Sequence, residues 1–400
     1  MKIYCLKRWA LSSCVCSLMV IGSCGIQIGG WPQAKYERTV QQQAPLAAGS
    51  TLVAETTAGS ITVAGADVTD CNVVATISAR APTEEEAQQI AEQVKVKLES
   101  VGQTLTVSAE KPHLKNNRSV SVSFKITVPK QTSAECTSSY GSIELANLNG
   151  SAKGKTSSGS INVTNIQGSA ELGTSYGSVT CTNIAGDSIK LKSSSGSLTA
   201  ENIKGPILLE TSYGSVTCKD ISDGDIKLKS SSGKMTLSKA SFGDCDAHTS
   251  YGSVICDELK GDSIRLHSDS GSINVTTASA GTIGVSTSYG RINCQEITTS
   301  DLTAKSGSGN IQIACSQSAP PEMTAEVGTS YGSIDFAAAP NFSGQVDLKT
   351  SYGSIKTDLP ITVAGEISKK HIQGKIGQSR DREGAGRLHL ETSSGSIRIK

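Results

Sequence analysis

Aromatic side chains are scarce in this sequence, 4% of 400 residues. That excludes a globular core assembled around large rings. Proline is also sparse at 10 residues. Glycine, at 40, falls far short of every third position, which rules out a collagen triple helix. Neither sign of charge dominates: 37 Lys+Arg stand against 36 Asp+Glu, leaving no electrostatic footprint for a nucleic-acid partner. The same numbers argue against disorder, because 36% hydrophobic residues with almost no net charge can bury a core. What the chain does have is small residues and regularly spaced glycine, the mark of a repeat protein.

The N-terminus reads as a targeting segment. Lys2, Lys7 and Arg8 form a positive head, and Ala10–Ser23 a short apolar and small-residue run. That run suits a signal peptide and is too short to span a bilayer comfortably. It ends Ile21-Gly22-Ser23-Cys24, which resembles a bacterial lipobox. Residues 1–23 are therefore expected to be a lipoprotein signal peptide and Cys24 the lipidation site, tethering an exported chain to a membrane. The rival is an ordinary signal peptide with Cys24 incidental. No further stretch is long and apolar enough to cross a bilayer.

From Ser138-Ser139-Tyr140-Gly141-Ser142-Ile143 onward one phrase recurs. Its glycines fall at 141, 159, 177, 196, 214, 233, 252, 271, 290, 309, 332, 353 and 395, with Gly374 as a degenerate coil and Ala58-Gly59-Ser60-Ile61 as an earlier relative. Counted from each glycine, position +2 is always aliphatic or Met, as in Ile161, Val179, Leu198 and Met235. Positions −7 and −5 are mostly Ile and Leu, as in Ile189 and Leu191. These alternate with polar residues, the period of strands. No coil can bury its aliphatics alone, so stacking must build the core. The fold class is all-β, a single-chain parallel β-solenoid (β-helix) of ~18–21-residue coils with a small α+β N-terminal cap. Its expected organisation is a polar tether at 24–49, the cap at 50–130 and the solenoid at 131–400.

Two columns bear on function. Position −3 is Ser or Thr in every coil, from Ser138 and Thr156 to Thr350 and Thr392. The structural reading, hydroxyls bonding along the rod at a corner, competes with an exposed lattice-binding face of the ice-binding kind. Position −1 alternates between Tyr and Ser: Tyr140, Tyr176, Tyr213, Tyr251, Tyr289 and Tyr331 alternate with Ser158, Ser195, Ser232, Ser270 and Ser308, and Tyr352 follows. The true repeat is thus two coils. Large over small suits packing at a corner, which is the expectation. Pointing outward, the tyrosines would instead form a candidate ligand surface with a ~9.6 Å step, able to stack on sugars or meet a protein partner. The turn at glycine breaks the strand parity, so the direction stays open.

Cys181, Cys218, Cys256 and Cys294 occupy the inward +4 position two coils apart, beyond disulfide reach, and read as small core residues. Cys294–Cys315 is the least implausible bridge. His113, His248, His267, His371 and His389 share no evident column. Asp187, Asp225, Asp244 and Asp262 follow glycine in turns. No metal, cofactor or catalytic set is implied, and the short turns leave little room for the cleft of a polysaccharide-active β-helix enzyme.

The cap region shows strands in Thr51–Arg80, Thr104–Ala109 and Ser119–Val128, with a capping box at Thr83-Glu84-Glu85-Glu86 opening a helix over 83–100. The charged stretch Lys369–Arg387 is expected to shield the C-terminal edge.

Val128-Pro129-Lys130, Ser139–Leu145 and Thr156–Val163, behind the Glu-rich helix after Ile77-Ser78-Ala79-Arg80, resemble the bacterial putative-adhesin β-strand-repeat family of unknown function. The resemblance covers roughly 50–400. It implies an adhesin-like or structural role in the cell envelope and supplies no catalytic residues. The expected partners are the membrane, through the lipid, and envelope polysaccharide or a surface protein. The expected location is the cell envelope, at the outer membrane or cell surface, with a periplasm-facing placement as the alternative.

Overall fold

The computed structural model describes residues 33–114, 116–363, 368–377 and 386–400. The expected signal segment and Cys24 lie outside them. The chain forms a parallel β-solenoid and divides into two compact units, one ending at Gly150 and one spanning Ser151–Lys400.

In the second unit each coil contributes two strands, for example Ile189–Ser193 and Leu198–Lys204. Each pairs in parallel and in register with its counterpart one coil away, so Ile189 meets Ile207, Leu191 meets Leu209 and Leu198 meets Val216. The aliphatics at −7, −5, +2 and +4 therefore stack as continuous buried columns. Each buried Ile or Leu contributes about 1.5–3 kcal/mol relative to exposure. A second corner follows at +6. Asn165, Asn183, Asn202 and Asp220 have φ between 53° and 58°, the left-handed region that Asn and Asp tolerate best. This kink returns +7 to the interior, where Ile184, Ile203 and Ile221 are buried. The amides bond along the stack: Asn183 Nδ2 donates to Asn165 Oδ1 at 2.9 Å and Asn202 Nδ2 to Asn183 Oδ1 at 2.6 Å.

The unit does not end in chain order. The terminal strands Gly386–Thr392 and Ile397–Ile399 insert between the Gly332 coil and the Gly353 coil, pairing in parallel with both. The Gly353 coil is thereby outermost. Its strand Gly344–Thr350 is covered by His371–Ile376 running antiparallel. Gly374 is therefore not a degenerate coil: its segment caps the edge. Residues 369–377 do shield that edge, as expected of the charged stretch, whereas 378–385 are outside the described residues.

The first unit departs from the expected boundaries in three places. Coil geometry begins at Thr51, because Thr51–Ala58 and Ile61–Ala66 pair in parallel with Ser133–Tyr140 and Ile143–Leu148. Residues 67–132 are an excursion from that stack. They return to it through Thr104–Glu110 and Ser119–Pro129, which pair in parallel with the other side of the same two strands. Next, 34–45 is not tether. Ala34–Pro45 is a strand antiparallel to Asp70–Ala81, and its polar alternation is that of a half-exposed sheet surface. Finally, the helix is shorter than 83–100. It spans Glu84–Gln93, with Thr83 Oγ1 accepting from the Glu86 N–H at 3.3 Å. Val94, Val96 and Leu98 alternate with Lys95, Lys97 and Glu99, and that two-residue period prevails: Lys95–Val101 pairs antiparallel with Thr104–Glu110.

Candidate functional site

The turn at each motif glycine builds the site. The −3 hydroxyl is buried and makes two bonds. Thr174 Oγ1 donates to the Gly159 carbonyl of the preceding coil at 2.9 Å and accepts from the Gly177 N–H of its own at 3.2 Å. Thr211 and Thr287 repeat the pattern. The hydroxyl column is thus internal stitching, and its burial removes the lattice-binding reading. The glycine is demanded by closeness. A Cβ on Gly177 would overlap the Gly159 carbonyl oxygen, and one on Gly214 that of Gly196.

With −3 inside and the glycine pressed on its neighbour, −1 faces solvent. Tyr176, Tyr213, Tyr251, Tyr289 and Tyr331 are 72–74% exposed and Tyr352 83%; in the first unit Tyr140 is 69% exposed. The expectation of corner packing is overturned. The hydroxyl and the rung-to-rung glycine fill the corner, leaving no inward space for a ring. The backbone at −1 is held by the stack, Tyr213 N–H donating to Ser194 O at 3.1 Å and Tyr251 N–H to Ser231 O at 2.9 Å.

The insertion of the terminal coil bears directly on this row. In chain order Tyr331 and Tyr352 stand on successive coils and break the Tyr–Ser alternation. In space Ser394 lies between them: its N–H donates to Ser330 O at 3.0 Å, and the Tyr352 N–H donates to Ser393 O at 2.9 Å. The second unit therefore carries Tyr on every second coil through to its end. Lys370 Nζ sits 5.9 Å from the centre of the Tyr352 ring, a cation–π distance.

Outward columns on both sides of the tyrosines were not read from the sequence. On the preceding strand, −6 and −4 carry Lys153 and Lys155, then Lys190 and Lys192, then Lys227 and Lys229, each pair on a Ser coil. The identical Ile-Lys-Leu-Lys-Ser strands at 189–193 and 226–230 were the available signal. On the following strand, Ser178 and Thr180, Ser197 and Thr199, and Ser215 and Thr217 present hydroxyls at +1 and +3.

The histidines do form patterns. His248 and His267 both occupy −4, pair in register and stack with ring centroids 4.8 Å apart. His267 also bonds Ser286 and Asp269, at 2.8 and 3.0 Å. Asp347 holds two more, His371 Nε2 at 2.8 Å and His389 Nδ1 at 3.1 Å. No group of three or more His, Cys, Asp or Glu among the described residues is placed to hold a metal.

The eight described cysteines are free, Cys294 and Cys315 included. Burial pushes the Cys181 and Cys294 thiols up to about 12. They are neutral core side chains, as their column implied. No helix among the described residues is long and apolar enough to cross a membrane.

Two solved structures are similar to 90% of this chain. One is a putative cell adhesion protein from Clostridium sporogenes ATCC 15579, with 10% identity, 99% of that chain covered and a TM-score of 0.19. The other is a putative adhesin from Bacteroides fragilis NCTC 9343, with 13% identity, 97% covered and a TM-score of 0.19. Neither likeness bears on a ligand. A search of curated proteins finds no match. The Toastrack DUF4097 family matches residues 51–239 and 215–400, the region of the resemblance read from the coils. The chain belongs to that family.

Proposed function

We propose that this protein is an exported, lipid-tethered β-solenoid of the cell envelope that works by adhesion and not by catalysis. The observation that carries the reading is the tyrosine row, exposed on every second coil of the second unit on a rigid backbone. Large, stiff, amphipathic side chains lose little entropy on contact and offer ring faces to sugars. The flanking Ser and Thr hydroxyls at +1 and +3 add donors and acceptors suited to a glycan. The partner class is therefore envelope polysaccharide, bound along the coils. The hollow near the C-terminal coils offers little to a hydrolytic reading: it is lined by Arg291, Gln312, Lys356 and Arg398 with Asp335 as its single carboxylate, and paired carboxylates are what glycoside hydrolysis needs.

Tyr213→Ser/Tyr251→Ser tests the surface. Ser is the natural residue at −1 of alternate coils, so the fold should persist. The variant should lose most binding to isolated envelope fractions; equal binding would sink the reading. The anchor rests on Ile21-Gly22-Ser23-Cys24. Labelling with radioactive fatty acid should mark the wild type and not Cys24→Ala, and label persisting in the mutant would remove it.

A further inference from the structure

We infer that the ligand of the tyrosine face is an anionic glycan whose acidic group recurs once per disaccharide, lying extended along the coils from Gly159 to Gly252. This rests on the proposed adhesive role of that face and goes further by naming the charge and period of what it binds.

The first observation is a period shared by two chemistries. Lys153 is in register with Glu171 and Glu171 with Lys190; Lys190 is in register with Leu208 and Leu208 with Lys227. Lysine pairs thus recur on three alternate coils, those of Gly159, Gly196 and Gly233, with a step of ~9.6 Å. The tyrosines recur with the same step, one coil out of phase. That step is close to the length of one disaccharide in an extended β-linked glycan. Over the coils from Gly159 to Gly252, a polymer in register with one column is in register with the other.

The second observation is the charge between the lysines. Tyrosine coils carry acids on this face, Glu171, Glu210 and Asp246. Glu210 pairs with Lys192 at 2.7 Å and approaches Lys229 at 4.0 Å. Among the described residues Lys153, Lys155, Lys190 and Lys227 have no ion-pair partner, and all four are exposed. A polymer charged at every unit would meet a carboxylate on each of the Gly177, Gly214 and Gly252 coils. A polymer alternating acidic and neutral sugars would place its acids over the lysines and its neutral rings over the tyrosine coils. The lateral offset from −4 to −1 is three residues, ~10 Å, within the combined reach of the two side chains. Charge complementarity of this kind sets register and partner choice more than raw affinity.

The test uses the folded full chain and three immobilised probes: hyaluronan, in which glucuronate alternates with a neutral amino sugar; chitin oligosaccharides, which are neutral; and polyglutamate, which is charged at every residue. Wild type should prefer hyaluronan over both, with binding that weakens as salt is raised. Lys190→Gln/Lys227→Gln should weaken hyaluronan binding roughly tenfold, as expected for losing two surface charge contacts, with an unchanged circular dichroism spectrum. Tyr213→Ser/Tyr251→Ser should weaken it as well. Chitin bound as well as hyaluronan, with the lysine variant unaffected and the tyrosine variant impaired, overturns the anionic inference and leaves the tyrosine face standing. Polyglutamate bound as well as hyaluronan overturns it too, because the alternation would then play no part. Binding to none of the probes overturns it, and Tyr-dependent capture of envelope fractions then decides separately whether the tyrosine face survives.

Discussion

Thr174 and Gly177 show how one residue type per coil holds the stack. Thr174→Val would strand the Gly159 carbonyl and the Gly177 N–H, both buried, at a cost of about 1–3 kcal/mol. Gly177→Ala would drive a methyl group into the Gly159 carbonyl oxygen and should cost about 3 kcal/mol by forcing two coils apart. Urea denaturation of both variants checks the order; Gly177→Ala as mild as a surface substitution would refute the close-contact account. The hydroxyl column was legible in the sequence because every coil needs it. The outward direction of Tyr213 was not, because parity is lost in the turn between −3 and +2. The Asn column at +6, with Asn165, Asn183 and Asn202, was legible in principle: a repeated Asn inside an otherwise aliphatic strand marks a left-handed residue.

At the scale of elements, order in the chain and order in space part company. Gly386–Thr392 and Ile397–Ile399 fill the gap between the Gly332 and Gly353 coils. Deleting 386–400 should therefore release Gly344–Thr350 together with its cover, and leave the Gly332 coil as a naked edge. Hydrogen exchange should show protection lost across 344–363 and 368–376, and size-exclusion chromatography should show self-association through that edge; a monomer with intact protection would refute the insertion. The cover is itself pinned by Asp347. Burial disfavours its charge, but hydrogen bonds from His371, Gln373 and His389 outweigh that and hold the carboxyl below its usual range. A depressed carboxyl pKa contributes stability in full above the unfolded value, and that stability is lost as pH falls through the folded one. Asp347→Asn should lower Tm near neutral pH, with the difference from wild type closing in acid. A gap that persists unchanged into acid would assign the effect to packing. The helix stops short of its expected length for a related reason. Val94 and Leu98 fit a helical period, but the residues between them also fit a strand, and the free edge of Thr104–Glu110 decided between the two.

Across the whole molecule, repetition turns a modest contact into a surface. The second unit presents six tyrosines, Tyr176, Tyr213, Tyr251, Tyr289, Tyr331 and Tyr352. Each added contact on a chain already bound is effectively intramolecular. Affinity for alternating acidic oligosaccharides should therefore rise stepwise, one step per disaccharide, and level off once the three lysine-bearing coils are spanned; calorimetry on a size-graded series reads this directly, and affinity independent of length would argue for a single local site. The coil, its period, its aliphatic core and the family are legible in the chain alone, because stacking identical coils imposes the same inward residues each time and writes them into the sequence as columns. That the tyrosines face out, that the cysteines stay unbridged, that the coils begin at Thr51 and that the last strand sits next to last emerges from the folded arrangement. Those depend on which backbone approaches which at a corner or an edge. It is that placement, Ser394 between Tyr331 and Tyr352, that keeps the tyrosine row in step to its end.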